Sequence, residues 1–372
     1  DKWGNGINPS GAALQVETNA GYADNIEIEI NGGTYESKKG HSFLEYVGES
    51  TVVDMKITDG KFKSASGLDV FNVTNNFNIE KFISGGTYSS KILKKYIADE
   101  YTLFADSDKY VVAKDGDYEL DFPLFIRVGQ SVNLDYTATG GYKDYLTFKS
   151  SDTSVATIKD NKITGVKEGT TEITTSGNAY DEKNDNLELV VYQVDALDEV
   201  TDENSKVIDE WIQKQVNSKL GDETTELISE ILQDNPQTKV EIKDLAKKDV
   251  DSEELKEIER ALEDGYTAIE YYDISVLLQN GDGTKSVKVE QLDNKFKITL
   301  PAPTNLPKLK DGYKRQFVIV RMHDGKAKLI DATVNEDGTL SFETDAFSTY
   351  AVAYNDVKTS GTTENATNPQ TS

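Results

Sequence analysis

Three stretches of the chain repeat one pattern: Ile30-Asn-Gly-Gly-Thr-Tyr-Glu-Ser37, Ile57-Thr-Asp-Gly-Lys-Phe-Lys-Ser64 and Ile83-Ser-Gly-Gly-Thr-Tyr-Ser-Ser90. Their aligned glycines, Gly33, Gly60 and Gly86, are 27 and 26 residues apart. A unit of this length cannot bury its own apolar face, but stacked copies can, and their strands then pair in parallel. The repeat therefore predicts a short, right-handed parallel β-helix-like domain.

Each repeat has a strand before its glycine and an aromatic residue after it. In the first repeat, Asn25–Ile30 alternates polar and apolar residues, which is typical of a half-buried strand. The aromatic residues Tyr35, Phe62 and Tyr88 occupy equivalent positions and are predicted to stack as a ladder. Packing inside the domain is the favoured role of this ladder. The alternative is stacking against a sugar on an exposed surface, which makes these three residues the candidate binding residues.

The repeat domain is predicted to span residues 1–118 and to end in a cap. After the third repeat, Lys91–Ile97 has the pattern of a helical turn, and Tyr101–Ala105 with Tyr110–Ala113 that of a hairpin. A cap of this kind covers the exposed end of a stack of strands. The phrase ISGGTYSS, followed by YTLF and YVV, resembles repeat regions in surface proteins of Gram-positive gut bacteria, over residues 25–114.

Residues 119–194 change to short strands separated by turn signals, the pattern of a β-sandwich. The phrases VGQSVNL, FKSSDTSVATI, ITGVKEGTTEIT and LELVVYQV follow one another in this segment. In content and order they resemble the bacterial Ig-like group 2 family. The resemblance implies an Ig-like β-sandwich that serves as a spacer or adhesion module on bacterial surfaces.

One loop departs from that family pattern. Asn178–Asp185, before the last strand, is longer and more acidic than a minimal turn. A solvated loop is the favoured interpretation. The alternative is a cation site, with Asp181, Glu182 and Asp185 as ligands and Ca²⁺ as the ion, since carboxylate oxygens suit calcium. No other cofactor is expected.

Residues 195–356 are predicted to form an α+β module with a β-sandwich-like end. Apolar residues recur at helical spacing in Val207–Leu220, Thr224–Leu232 and Leu255–Glu263, and strand patterns follow from Ala268 onward. The phrases YYDISVLLQNGDG, ITLPAP, FVIVRMHDGKAKLID and DGTLSFETDAFSTYAVAY resemble a module found near the C-terminus of Gram-positive surface proteins. That resemblance implies a location on the cell surface. It does not imply any enzymatic activity.

Composition narrows the classes of function. The 66 acidic residues outnumber the 40 basic ones, for a net charge of −26, which disfavours binding to nucleic acid. Cysteine is absent, so disulfides, thiolate nucleophiles and Cys-ligated metals are excluded. The two histidines, His41 and His323, lie far apart in sequence and lower the expectation of catalysis. No apolar run is long enough to span a bilayer.

Several short motifs that suggest chemistry are predicted to be turns. His323-Asp324-Gly325 follows a strand, and Asp-Gly in that position is a hairpin signal. Asp115-Gly-Asp117, Asn280–Gly283 and Asn335–Gly338 contain calcium-like spacings, but none continues as an EF-hand loop. No catalytic residue is assigned. Residues 357–372 are polar and predicted to be disordered, as the start of a wall-spanning spacer.

The sequence thus predicts a mainly β, multidomain, monomeric protein that is extracellular and attached to the cell surface. Its signal peptide and wall anchor are expected outside these 372 residues. The favoured function is a non-catalytic, adhesin-like role: adhesion, or presentation away from the cell wall. The expected partner is a host glycan, a matrix protein or a cell-wall polysaccharide. The alternatives are a polysaccharide-acting enzyme that uses the β-helix, and a purely mechanical stalk.

Overall fold

The structure, a computed structural model, describes residues 11–18, 24–47, 51–73, 79–197, 200–217, 223–262 and 265–359. It is mainly β, as predicted, because 51% of the described residues lie in strands against 14% in helices. The chain divides into two compact units, residues 1–191 and residues 192–372. This division lies close to the predicted boundary at residue 194. The predicted boundary at residue 118 instead falls inside the first unit.

The first unit begins with eight strands among its described residues: β1 (Leu14–Glu17), β2 (Ile26–Glu36), β3 (Phe43–Tyr46), β4 (Val53–Lys63), β5 (Phe71–Val73), β6 (Thr87–Tyr88), β7 (Tyr101–Asp106) and β8 (Lys109–Lys114). Strands β1, β3 and β5 pair in parallel, as do β2, β4 and β6 in a second sheet. The register places Tyr35 beside Phe62 and Phe62 beside Tyr88. Successive repeats therefore pair at the offsets of their glycines, which confirms the predicted parallel pairing.

The glycines of the first two repeats do not end the strands that were predicted before them. Strands β2 and β4 each continue through them for 11 residues. The pairing shifts register between Ile30 and Thr34, where Gly33 has a φ of +97°. Glycine adopts this conformation without strain, so the strand passes through a local bulge and pairing resumes beyond it at the same offset of 27 residues.

Strand β1 belongs to the stack although the repeat pattern was identified only from residue 25. It pairs in parallel with β3, with Leu14 beside Phe43. The composition of residues 1–24 is compatible either with loose order or with part of a further coil. The pairing of β1 favours the second interpretation for the described residues 11–18.

The cap follows the third repeat as predicted. Lys94–Tyr96 forms a 3₁₀ turn, and β7 and β8 form an antiparallel hairpin. Strand β8 also pairs with β6, in the antiparallel sense, so the sheet order becomes β2-β4-β6-β8-β7. The hairpin thus changes the sheet from parallel to antiparallel at its last repeat.

The rest of the first unit contains nine strands among its described residues: β9 (Tyr118–Leu120), β10 (Phe125–Arg127), β11 (Ser131–Asn133), β12 (Tyr136–Ala138), β13 (Thr147–Ser150), β14 (Ala156–Lys159), β15 (Lys162–Gly165), β16 (Gly169–Ser176) and β17 (Asn186–Tyr192). One sheet has the order β10-β17-β16-β13 and a second β11-β15-β14. Side chains of both sheets, including Ile126, Ile163 and Ile173, form a single buried cluster. The β9–β12 pair and helix α1 (Tyr142–Tyr145) were not predicted.

The second unit combines three helices with ten strands among its described residues. The helices are α2 (Asp202–Val216), α3 (Glu223–Leu232) and α4 (Ser252–Ala261). The strands are β18 (Asp195–Ala196), β19 (Gln237–Leu245), β20 (Thr267–Gln279), β21 (Ser286–Val289), β22 (Gln291–Pro301), β23 (Tyr313–His323), β24 (Lys326–Asp331), β25 (Thr333–Val334), β26 (Thr339–Ala346) and β27 (Thr349–Lys358). All three predicted helices are present; the predicted end of the first, at Leu220, lies outside the described residues.

Two sheets form the β part of the second unit. The larger has the order β18-β19-β20-β27-β23-β24, with β21 also paired to β20, and the smaller the order β22-β26-β25. Helix α4 contributes Ile258 to a buried cluster with Val320 and Met322 of β23. Strand β27 extends to Lys358, so the first two residues of the predicted tail are paired with β23. Residues 360–372 of that tail lie outside the described residues.

Among the described residues, no helix combines the length and apolar character that crossing a bilayer requires.

Candidate functional site

The predicted aromatic ladder is present in the first unit. The rings of Tyr35 and Phe62 stack at 5.0 Å with an interplanar angle of 12°, and those of Phe62 and Tyr88 at 5.2 Å with an angle of 8°. The parallel register produces this stacking, since it places equivalent side chains of successive repeats beside one another. The ladder is thus a direct consequence of the repeat spacing.

Burial limits what the ladder can bind. Phe62 is 2% exposed and Tyr88 is 0% exposed, while Tyr35 is half-buried. Phe62 and Tyr88 belong to the apolar core of the repeats, and Tyr35 packs against that core. A sugar that stacks on a ring needs an accessible ring face. Of the three candidate binding residues, Phe62 and Tyr88 therefore serve packing in this structure, and Tyr35 alone retains accessible surface.

The hydroxyls of the ladder tyrosines also bond to the glycine segments that precede them. The Tyr88 hydroxyl donates a hydrogen bond of 2.6 Å to the carbonyl of Gly85, and the Tyr35 hydroxyl one of 3.2 Å to that of Gly32. Burial raises the pKa of Tyr88 well above its usual value, with a smaller contribution from the nearby Asp59 carboxylate. The Tyr88 hydroxyl is therefore protonated at any ordinary pH and remains a donor.

Replacement of Tyr88 by phenylalanine is expected to lower the free energy of unfolding of the first unit by about 1 kcal/mol, because a buried carbonyl loses its donor. The matched control is Tyr35→Phe. The Tyr35 hydroxyl makes a longer bond at a half-buried position, so water can replace it and the loss should be smaller. Urea denaturation of both variants measures the difference. Equal losses would show that the Tyr88–Gly85 hydrogen bond contributes no more to stability than the Tyr35–Gly32 bond.

The acidic loop predicted as a cation site lies against the cap and the start of β9. Glu182 forms an ion pair with Lys94 of the cap, and Asp181 accepts a hydrogen bond from Asn184. The Asp185 carbonyl accepts a hydrogen bond from the Thr175 amide of β16, and the Asp185 amide donates one to the Thr175 hydroxyl. Asp181, Glu182 and Asp185 are exposed, as expected of a solvated loop, and these contacts also fasten the loop to its neighbours.

Lys183 occupies the centre of this contact. Its ammonium donates to the carbonyl of Gly116 at 2.6 Å and lies 3.8 Å from the Asp115 carboxylate and 3.4 Å from that of Asp117. The two acidic segments that resembled calcium loops, residues 115–117 and 181–185, thus meet around a lysine. The ammonium supplies positive charge at the place where a bound cation would supply it.

No group of three or more His, Asp or Glu side chains is positioned to hold a metal ion in the part of the chain that the structure describes. The structure does not assemble Asp181, Glu182 and Asp185 into such a group. Calcium binding by this loop stays a prediction.

The other short motifs form turns, as predicted. Asp324 and Gly325 both have positive φ, +48° and +69°, and connect β23 to β24, the backbone of a two-residue hairpin turn. In Asn280–Gly283 the amide of Gly283 donates to the carbonyl of Asn280, and Asn335–Gly338 repeats that bond. These polar groups are engaged in local hydrogen bonds.

The second unit has a groove of about 600 Å³ beside β22, β24 and β26. Its charged lining consists of three lysines and three carboxylates: Lys295, Lys297, Lys328, Glu203, Asp331 and Glu343. Equal numbers of opposite charges do not select a charged ligand. Its lining aromatic residue, Phe342, is 3% exposed and offers no face to a sugar. The groove is therefore not assigned as a binding site.

A buried ion pair lies next to this groove. Arg321 of β23 is 8% exposed, and its guanidinium donates to the carboxylate of Asp345 and, at 3.1 Å, to the hydroxyl of Thr344. Lys295 reaches the other oxygen of Asp345. Burial alone would raise the pKa of Asp345, but the bonds to Lys295 and Arg321 outweigh it and hold that pKa well below its usual value. The sequence did not predict this cluster. Lys295 and Asp345 lie on different strands, and no local sequence pattern indicates that their side chains meet.

Comparison with known proteins adds little. No family model matches the sequence, and no curated protein matches it. Among solved structures, domains 5–6 of the S-layer protein SbsC align over 67% of this chain and 100% of that chain, with 15% identity and a TM-score of 0.16. A TM-score of that size carries no argument about fold or function.

Proposed function

We propose that this chain is part of a non-catalytic protein on the surface of a Gram-positive bacterium, and that its modules present other parts of that protein away from the cell wall. The observation that carries the proposal is the burial of two of the three ladder residues. Phe62 and Tyr88, which a sugar-binding repeat would expose, are buried within the repeat core. These two aromatic residues of the repeats thus stabilise the core and are not accessible to a ligand.

Two kinds of module make up the first unit in this proposal. We infer that the repeats are a short right-handed parallel β-helix, supported by two parallel strand sets whose paired residues lie 26 to 29 positions apart. We infer that residues 119–194 are an Ig-like sandwich of the bacterial group 2 family. Its support is the order of the family phrases and the two antiparallel sheets around one buried cluster. Both module types suit an extended surface protein.

The first test is location. Intact cells that produce the protein are treated with an amine-labelling reagent that does not cross membranes. Lysines of this chain, including the exposed Lys91 and Lys326, should be labelled to the same extent as those of known surface proteins. Labelling only after lysis would refute the proposal. A cytosolic protein of the same cells serves as the control for leakage.

The second test separates presentation from adhesion and from catalysis. The full chain is applied to a glycan array and to immobilised mucin and matrix proteins, with Tyr35→Ala beside it. Presentation predicts no binding above background for either protein. Binding that Tyr35→Ala abolishes would instead establish adhesion through the accessible end of the ladder. Release of reducing sugar ends from a polysaccharide panel would favour the alternative of a polysaccharide-acting enzyme and would overturn the non-catalytic assignment.

A further inference from the structure

The edge of the repeat sheet is covered by a segment from the second half of the first unit. Strand β7 is the last strand of that sheet. Its outer side pairs with residues 177–179: the amide of Ala105 donates to the carbonyl of Gly177 at 3.0 Å, and the amide of Ala179 to that of Leu103 at 2.7 Å. Phe104 and Asn178 form an antiparallel bridge between these bonds. An otherwise open edge strand is thereby paired.

The same segment continues directly from β16. Strand β16 ends at Ser176 and is paired with β13 and β17 in the second half of the unit. One continuous run of backbone, residues 169–179, therefore belongs first to a sheet of the second half and then to the sheet of the repeats. A displacement of one sheet must be transmitted to the other through covalent and hydrogen-bonded backbone.

Side chains strengthen this junction. The Tyr180 hydroxyl donates a 2.6 Å hydrogen bond to the carbonyl of Ile92 in the cap, and its ring lies below the Lys91 ammonium at 5.1 Å. Asn178 is 4% exposed and donates from its amide to the Thr102 hydroxyl at 3.3 Å. Tyr118 donates to the carbonyl of Lys183 at 2.6 Å. Burial raises the pKa of Tyr118 to about 12, so this donor is protonated at neutral pH.

A small aromatic core completes the junction. Phe104 of β7 is fully buried against Tyr142 of α1, edge to face at 5.1 Å, and stacks on Tyr145 at 5.4 Å. Gly141 permits this contact, because a Cβ on it would lie 2.3 Å from the Phe104 ring. Aromatic pairs of this kind contribute beyond their buried area.

We propose that residues 177–180 act as a structural lock that makes the repeats and the following sandwich-like sheets unfold as one cooperative body. The locked body would transmit force along the first unit without hinging between its two halves. This inference concerns cooperativity and is independent of whether the protein binds a ligand or lies on a cell surface.

Hydrogen–deuterium exchange of the full chain in increasing urea tests the lock, because amides of one cooperative unit share one opening equilibrium. The slowest amides of β4, in the repeats, and of β17, in the second half, are followed by peptide mass spectrometry. In the unmodified chain their exchange rates should converge to within about threefold as urea rises. Persistent divergence of the two strands would overturn the proposal.

In the double variant Asn178→Ala with Tyr180→Ala, the slowest amides of β4 and those of β17 should exchange at rates at least about tenfold apart. Tyr46→Ala is the matched control, since Tyr46 is a 60% exposed tyrosine on β3 outside the lock; it should leave the two sets together. If the double variant does not fold, Tyr180→Phe replaces it, since this change removes only the hydrogen bond to Ile92. The difference between the exchange rates of β4 and β17 should then be smaller. Coincident exchange in all the lock variants would refute the role of these residues.

Discussion

Replacement of Asp345 by asparagine is expected to lower the free energy of unfolding of the second unit by about 3–5 kcal/mol, the cost typical of breaking a buried ion pair from one side. The Asp345 carboxylate forms ion pairs with both Arg321 and Lys295. The Arg321 side chain is 9% exposed, so water cannot compensate its charge once the carboxylate is gone. An asparagine keeps the size of the side chain, removes its charge and replaces one of its two acceptor oxygens with an NH2 donor.

The reporter is Trp211 of α2, in a Trp3→Phe background, so that fluorescence during urea denaturation follows the second unit. Asp293→Asn is the matched control. Asp293 also pairs with a lysine, Lys214, but its side chain is 73% exposed, and exposed pairs contribute little. A loss for Asp345→Asn no greater than that of the control would show that the Arg321 charge is not buried as described.

The same ion pair predicts a pH dependence. Because the pKa of Asp345 is lowered in the folded protein, its contribution is fully present above the usual aspartate pKa of about 3.9. It is lost as the pH falls below that value toward the lowered pKa of the folded state. The stability difference between the unmodified chain and Asp345→Asn should therefore be constant near neutral pH and narrow below about pH 4.

Replacement of Gly86 by alanine should cost the first unit about 3 kcal/mol, the sum of two effects. Gly86 has a φ of +101°, which an alanine adopts only with strain of about 1–3 kcal/mol. A Cβ there would also lie 2.8 Å from the Tyr88 hydroxyl and 3.0 Å from the carbonyl of Gly60. Relief of this crowding requires the ladder or the neighbouring strand to move, at a further cost of about 1–3 kcal/mol.

Gly67→Ala isolates the first of these effects. Gly67 has a φ of +81°, but no atom lies within 4 Å of the position of its Cβ. This control should lose only the backbone strain, about 1 kcal/mol. Hydrogen exchange of β4 and β6 amides in urea measures both variants. If Gly86→Ala cost no more than Gly67→Ala, the ladder would not be packed tightly against the glycine.

The repeat part of the fold was predictable because one period determines many contacts at once. A 26- or 27-residue offset sets the strand register, and the register sets the ladder of Tyr35, Phe62 and Tyr88. The bulge at Gly33 was not predictable in the same way. Adjacent glycines favour a turn and a bulge equally in sequence, and only pairing with β4 decides between them.

The candidate site was predicted less well than the fold. The sequence identified the aromatic residues and favoured their packing inside the domain, but it did not show which of them keeps accessible surface. That depends on distant side chains such as Phe71 of β5, which contacts Phe62 and Tyr88. It identified the acidity of residues 178–185 but not their partner. Lys94 and Lys183 pair with carboxylates distant in the chain, and no local pattern marks such pairs.

By itself, the sequence determined the mainly β class, the parallel pairing of the repeats, the aromatic ladder, the cap hairpin and the three helices of the second unit. These features depend on spacing, alternation and turn chemistry, which act between near neighbours or between copies of one pattern. Only the tertiary structure decided that Tyr35 alone of the ladder stays accessible, that residues 177–180 complete the repeat sheet, and that Arg321 is buried against Asp345. Each of these depends on contacts between segments unrelated in sequence, whose proximity is set by the packing of whole sheets.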